Sequence, residues 1–140
     1  MKKALLIVMV MILAAASVLA LTACSKPEGT YKFESVTIKG WNYETTYSVG
    51  DEQSLGGALF TEDSVTLTFN RDGTYEFTDN STVLKTTAKG TWEIVKNEDG
   101  TKQIQFDNKN FSADYTKDSV TFYYDDIGLI FYTYHMKKAQ

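Results

Sequence analysis

Beyond residue 29 the chain alternates apolar and polar residues with a period of two, the spacing of a strand with one buried face. Val65, Leu67 and Phe69 fall on one side of such a strand, with Thr66, Thr68 and Asn70 on the other. Tyr75 and Phe77 alternate in the same way with Thr74, Glu76 and Thr78. Between these runs Asn70-Arg71-Asp72-Gly73 reads as a hairpin turn, its glycine free to adopt the left-handed conformation that the return strand needs. Trp92 and Ile94 continue the pattern, Asn97-Glu98-Asp99-Gly100 turns the chain, and Ile104 and Phe106 come back. Val120, Phe122 and Tyr124 then lead through Asp125-Asp126-Ile127-Gly128 into residues 129–136. An opening strand is predicted over residues 30–38, where the phase slips between Phe33 and Val36; a one-residue slip predicts a bulge near Glu34-Ser35. Residues 83–88 and 111–115 give weaker strand signals. Eight or nine short strands and no convincing helix predict an all-β domain, a single antiparallel meander closed into a barrel of about eight strands.

The segment before this domain has a different character. Lys2 and Lys3 form a positive start, residues 4–19 are almost unbroken apolar sequence, and Leu21-Thr22-Ala23-Cys24 follows. This is the layout of a secretory signal peptide over residues 1–23, predicted to form a helix. Its last four residues resemble the bacterial lipobox, in which small residues precede a cysteine that receives a diacylglyceryl group and becomes residue one after cleavage. The resemblance implies lipidation of Cys24, a tether over residues 24–28 and a barrel domain over 29–138. It also implies a location on the cell membrane or outer membrane, facing outside the cytoplasm. Two acyl chains at about 0.8 kcal/mol per buried methylene hold a protein stably on a bilayer. Cys24 is the one cysteine, so the domain is expected to rest on its core without a disulfide.

Setting aside residues 1–23 changes the composition. The remaining 117 residues hold all 19 aromatics, with 12 basic and 18 acidic side chains, a formal charge of −6. A chain of this size builds one core. The acidic balance, with no basic run longer than Lys137-Lys138, argues against a nucleic-acid partner.

Gly29-Thr30-Tyr31, Gly73-Thr74-Tyr75 and Gly90-Thr91-Trp92 place a Gly-Thr-aromatic triplet at the start of three predicted strands. With the spacing of Phe69, Asp72-Gly73 and Phe77, residues 29–136 resemble the small bacterial lipocalin-like lipoproteins. In larger lipocalins the opening strand carries Gly-x-Trp; here it carries Gly29-Thr30-Tyr31, and the tryptophan version falls at Trp92. The resemblance implies an up-and-down barrel whose interior suits a small apolar molecule. It supplies no catalytic residue.

An eight-stranded barrel is just wide enough inside for side chains to fill it or for one small ligand. Alternation alone points Tyr31, Phe33, Val65, Leu67, Phe69, Tyr75, Phe77, Trp92, Ile94, Ile104, Phe106, Val120, Phe122, Leu129 and Phe131 inward. Residues 40–63 break the pattern, with Trp41, Tyr43 and Tyr47 and glycines at 50, 56 and 57; long connections of this kind are lids, binding loops or plugs. Asp51 is placed to cap a helical turn over residues 52–55, ended by Gly56-Gly57. If the loop is a lid, Trp41, Tyr43 and Tyr47 close over a mouth, and with Phe33, Tyr75 and Trp92 they form the predicted ligand site. If it is a plug, Trp41, Leu55, Leu59 and Phe60 seal that end. The last strand is apolar on both faces, and an outward stripe of Ile130, Tyr132 and Tyr134 beside Tyr123 offers either a docking patch for an envelope protein or a packing site for the 40–63 loop.

Catalytic readings find little support. His135 is the single histidine and has no orienting partner or nucleophile at a telling spacing. Asp114, Asp118, Asp125 and Asp126 sit at predicted turns, where aspartate bonds its own backbone. Asp107-Asn108-Lys109-Asn110 puts a lysine where a calcium loop needs oxygen. The sequence therefore predicts a non-enzymatic protein without metal or cofactor.

Overall fold

The computed structural model describes residues 26–53 and 57–140. The expected signal segment with its helix, and Cys24, lie outside them. Turn chemistry sets the hairpins. At both Asn70–Gly73 and Asn97–Gly100 the glycine has positive φ (85° and 89°), and the preceding aspartate accepts bonds from the threonine that follows. Asp72 Oδ1 takes the Thr74 amide at 3.0 Å and its hydroxyl at 2.6 Å, and Asp99 takes those of Thr101 at the same distances. The threonine hydroxyls hold both carboxyls below their ordinary range.

Nine strands result among the described residues: β1 (Gly29–Lys39), β2 (Glu44–Ser48), β3 (Val65–Phe69), β4 (Thr74–Asp79), β5 (Thr86–Lys96), β6 (Lys102–Phe106), β7 (Phe111–Tyr115), β8 (Ser119–Asp126) and β9 (Ile130–Lys138). Each pairs antiparallel with its neighbours in the order β1-β3-β4-β5-β6-β7-β8-β9, and β9 returns to β1. The meander is thus closed into an eight-stranded barrel, an architecture compatible with the lipocalin-like expectation. β2 stands outside that ring of eight. It takes the edge of β1 over residues 35–39, beyond the stretch that pairs with β3.

The bulge falls where the phase slip predicts it. Phe33 pairs with Met136 and Ser35 with His135, leaving Glu34 as the extra residue. Phe33 and Val36 consequently both face inward, 1% and 0% exposed.

Inside, aromatic rings from opposite walls touch. Phe77 of β4 stacks on Phe122 of β8 on the far side of the ring with centroids 4.6 Å apart, and Phe106 of β6 meets Tyr75 of β4, on the same side, edge-on at 4.7 Å. Rings in contact across the barrel fill the space between those walls at that level. Burial pushes the hydroxyls of Tyr31 and Tyr75 up from 10 to about 12, with Tyr115 and Asp118 adding to the effect at Tyr31 and Asp107 at Tyr75.

The structure corrects the inward list on β9. Directly opposed residues share a face. With Val120 and Phe122 inside, the register Val120 with Met136, Phe122 with Tyr134 and Tyr124 with Tyr132 turns Tyr132, Tyr134 and Met136 inward. Leu129 and Phe131, expected inside, are 70% and 45% exposed. Tyr132 and Tyr134, expected outside, are buried, and Ile130 is half-buried against the core. A strand apolar on both faces carries no phase of its own, so the turn sets the register. On β5, Ile94 shares the inner face with Ile104 opposite it, but it is exposed, since it lies beyond Thr91, where the pairing with β4 ends. Trp92 is half-buried.

One carboxylate is enclosed with the rings. Asp79, 1% exposed, accepts the Ser81 amide and hydroxyl at 2.7 and 2.6 Å on Oδ1, and the Tyr134 hydroxyl at 2.7 Å on Oδ2. This joins the β4–β5 loop to β9. Burial, then the Asp79 charge, raises the Tyr134 hydroxyl far above its usual value, keeping it a donor.

Tyr134→Phe leaves Asp79 Oδ2 without its partner and is expected to cost about 1–3 kcal/mol, seen as a lower urea midpoint with an unchanged slope; an unshifted midpoint would show that the bond contributes nothing. The tyrosines give a second test. Their folded values lie above the unfolded value of 10, so their contribution is complete below pH 10 and is lost as pH rises through about 12. The part of the tyrosinate absorbance that belongs to Tyr31 and Tyr75 should therefore lag a free-tyrosine curve above pH 10 and appear together with loss of the strand circular dichroism. Ionisation of Tyr31 or Tyr75 near 10 in a still-folded protein would contradict the packing.

Candidate functional site

Two neighbouring hairpin tips stand at the end of the barrel where β1 finishes. β1 and β9 lie side by side, Lys39 opposite Phe131, which brings the β1–β2 turn next to the β8–β9 turn. In the first, the Gly40 amide donates to the Tyr43 carbonyl at 2.9 Å, and the Tyr43 ring lies so close over Gly40 that a side chain there would collide with it. Trp41, at the apex, is 99% exposed. In the second turn both central residues have positive φ, Ile127 at 56° and Gly128 at 70°, the geometry that matches the twist of a two-residue hairpin. Asp125 Oδ1 accepts the Gly128 amide at 2.7 Å and fixes the bend.

Ile127 is anomalous there. A β-branched residue in the left-handed region is strained, and this one is also 83% exposed. The turn favours asparagine or glycine at that position. Trp41, Tyr43, Ile127, Leu129 and Phe131 together give this rim a run of exposed apolar side chains.

Beside the tips runs a groove of about 330 Å³ lined by Lys109, Asn110, Tyr123, Asp125, Phe131 and Thr133, among others, within the size range of small-molecule sites. The Tyr123 hydroxyl donates to Asp114 at 3.0 Å. Burial, then the neighbouring aspartates, raises the hydroxyls of Tyr123, Tyr124 and Tyr132 above their ordinary value. All three are neutral at pH 7, and the rim offers aromatic walls with hydroxyl donors. Among the described residues no three His, Cys, Asp or Glu side chains converge as metal ligands would.

The 49–63 connection folds back on itself. Gly50 donates to Phe60 O, Phe60 to Asp51 O and Gln53 to Ala58 O, each at 2.8 Å. Glu52 is bridged antiparallel to Leu59. Glu52 and Gln53, expected to begin a helical turn over 52–55, pair in this way instead; the rest of that expected turn, with Leu55 and Gly56, lies outside the described residues. Asp51 accepts the upstream Ser48 amide at 2.7 Å instead of capping a helix. Gln53 Oε1 accepts the Thr82 amide at 3.0 Å, anchoring the fold-back to the β4–β5 loop. Phe60, 1% exposed, stacks on Phe33 and packs on Tyr47, both at 5.3 Å. The plug reading thus holds for Phe60, while Leu59 is exposed.

The six residues predicted to bind ligand divide three ways. Phe33 and Tyr75 belong to the packed interior. Trp92 lies toward the opposite end, its indole N–H donating to Thr74 O at 3.0 Å and its ring edge-on to Phe69. Trp41 and Tyr43 both stand at the rim, and Tyr47 packs against Phe60. Sequence reasoning missed Ile127, Leu129 and Phe131 as rim groups; the signal for Ile127 was an apolar β-branched residue in a turn that calls for asparagine.

Compared with protein-family models, with curated proteins and with solved structures, the chain matches none.

Proposed function

We propose that this is a lipid-anchored, extracytoplasmic, non-enzymatic barrel that binds a small apolar ligand at its mouth. The observation that carries the reading is the rim itself. Five large apolar side chains stand exposed on neighbouring tips, and one of them, Ile127, is held in a strained backbone. An exposed strained turn costs stability, and strain of this kind concentrates at binding sites. Because rings fill the space between opposite walls, the ligand lies at the rim and in the adjoining groove, with Tyr123 and Phe131 as walls. Attachment runs through Cys24 to the cell membrane or outer membrane, as the lipobox resemblance implies. A second reading, docking of an envelope protein, draws support from Trp41 and Ile127 standing on convex tips. Tyr132 and Tyr134 have no part in it, since they face the interior.

An apolar fluorescent probe titrated into the full chain tests the mouth. Trp41→Ala is expected to weaken probe binding about ten-fold, the effect of losing roughly 1.5 kcal/mol of apolar burial, while leaving stability within about 0.5 kcal/mol. Ile127→Asn should weaken binding and at the same time raise stability by about 1 kcal/mol by relieving the left-handed strain. Probe affinity unchanged in both variants would remove the mouth as a ligand site, and a protein captured only by the unsubstituted chain would favour docking. For the anchor, Cys24→Ser is expected to abolish the diacylglyceryl mass increment and to leave a precursor that keeps residues 1–23. Normal cleavage and membrane retention of that variant would refute lipidation.

A further inference from the structure

The end of the barrel where β1 begins has the opposite charge sign to the rest of the domain. Several hydrogen bonds gather four segments there. The Tyr31 hydroxyl donates to the Pro27 carbonyl at 2.8 Å, holding the incoming chain against the wall. The Lys138 amide donates to Asp118 O and the Ala139 amide to Thr30 O, both at 2.8 Å, so residues 117–118 and 137–139 lie beside the start of β1. Arg71, in the β3–β4 turn, reaches Glu28 at 3.4 Å. The outermost residues of this end are therefore Lys26, Arg71, Lys117, Lys137 and Lys138 against Glu28, Asp72 and Asp118, a formal +2, with Glu34 and Glu62 set further back along the wall in the groove that Lys137 and Lys138 also line. The β5–β6 turn beyond the same end adds two lysines and two acids and no net charge. The other charged residues of 26–140 sum to −8. Lys26, Lys117 and Lys137 are exposed, and Lys137 lies opposite Lys32 on β1, whose own charge is paired with Asp63 at 2.7 Å.

We propose that this basic end is a docking face for an anionic lipid surface. Cations close to such a surface are each drawn to it within roughly 8 Å, the physiological Debye length, while the acidic remainder of the domain is repelled. The two effects act together to orient the barrel. The cations come from separate segments and spread over one end, which suits a lipid sheet. The inference rests in part on the anchor reading, because a tether over residues 24–28, at about 3.3 Å per residue, reaches the membrane from this same end. The apolar mouth then points away from the bilayer.

Lysine acetylation footprinting of the full chain tests this, with vesicles of phosphatidylcholine alone or mixed with phosphatidylglycerol. On the mixed vesicles Lys117 and Lys137 are expected to acetylate about five-fold more slowly, with Lys39 and Lys85 at the mouth end unchanged; high salt should erase the difference, and phosphatidylcholine alone should not produce it. Lys117→Glu with Lys137→Glu, both on the outer surface, should abolish slowing at Lys26 and Lys138 while the circular dichroism stays native. Equal protection at both ends, protection at Lys39 and Lys85 only, or no protection on any vesicle would overturn the proposal. Intact mass separates it from the anchor: an unlipidated chain that still shows the footprint sinks the anchor alone, and a lipidated chain with an even footprint sinks the docking face alone.

Discussion

The ladder between β1 and β9 is the constraint on which the rest depends. Those two strands are far apart in sequence and share eight residue pairs; their union turns an open meander into a tube. Closure removes the free edges that a sheet otherwise exposes and decides, residue by residue, which side chains are enclosed. It also requires β1 to serve two partners on its other edge, β3 early and β2 late. The bulge at Glu34 reconciles these demands, since it resets the phase where β1 passes from one partner to the other.

Once the tube is closed, its width does the rest. An interior of this calibre suits interlocking rings, and Phe77, Phe106 and Phe122 meet there from different walls. Enclosed polar atoms are tolerated because they are paired: Asp79 with Ser81 and Tyr134, and Tyr31 with the Pro27 carbonyl. Apolar surface that does not fit inside is displaced to the hairpin tips, and the sequence concentrates it at one end.

Much of this architecture is readable from residue spacing. The Asn-x-Asp-Gly turns announce themselves because aspartate and glycine supply the two things such a bend needs, a local acceptor and positive φ. The phase slip between Phe33 and Val36 locates the bulge for the same kind of local reason. What fails is long-range. β9 reads equally well in either phase, so its orientation follows only from its pairing with β8, and Leu129 and Phe131 are assigned inward in error. β2, whose threonines and Tyr47 carry weak alternation, forms because β1 offers it an edge. The candidate site was legible in part: Trp41 and Tyr43 stand out as aromatics in an irregular loop, but their companions on the β8–β9 turn become neighbours only through closure, which no local pattern encodes.

The wall of the tube is uneven. β8 and β9 are joined by eight residue pairs, whereas β6 and β7 share two, Ile104 with Ala113 and Gln105 with Ser112. Behind that thin seam lie Phe106 and Phe111. Local opening follows the fewest bonds, so the seam between β6 and β7 is expected to open at a smaller free-energy cost than that between β8 and β9. Breathing of this barrel is therefore expected to be lateral, with the staves parting first along that one side.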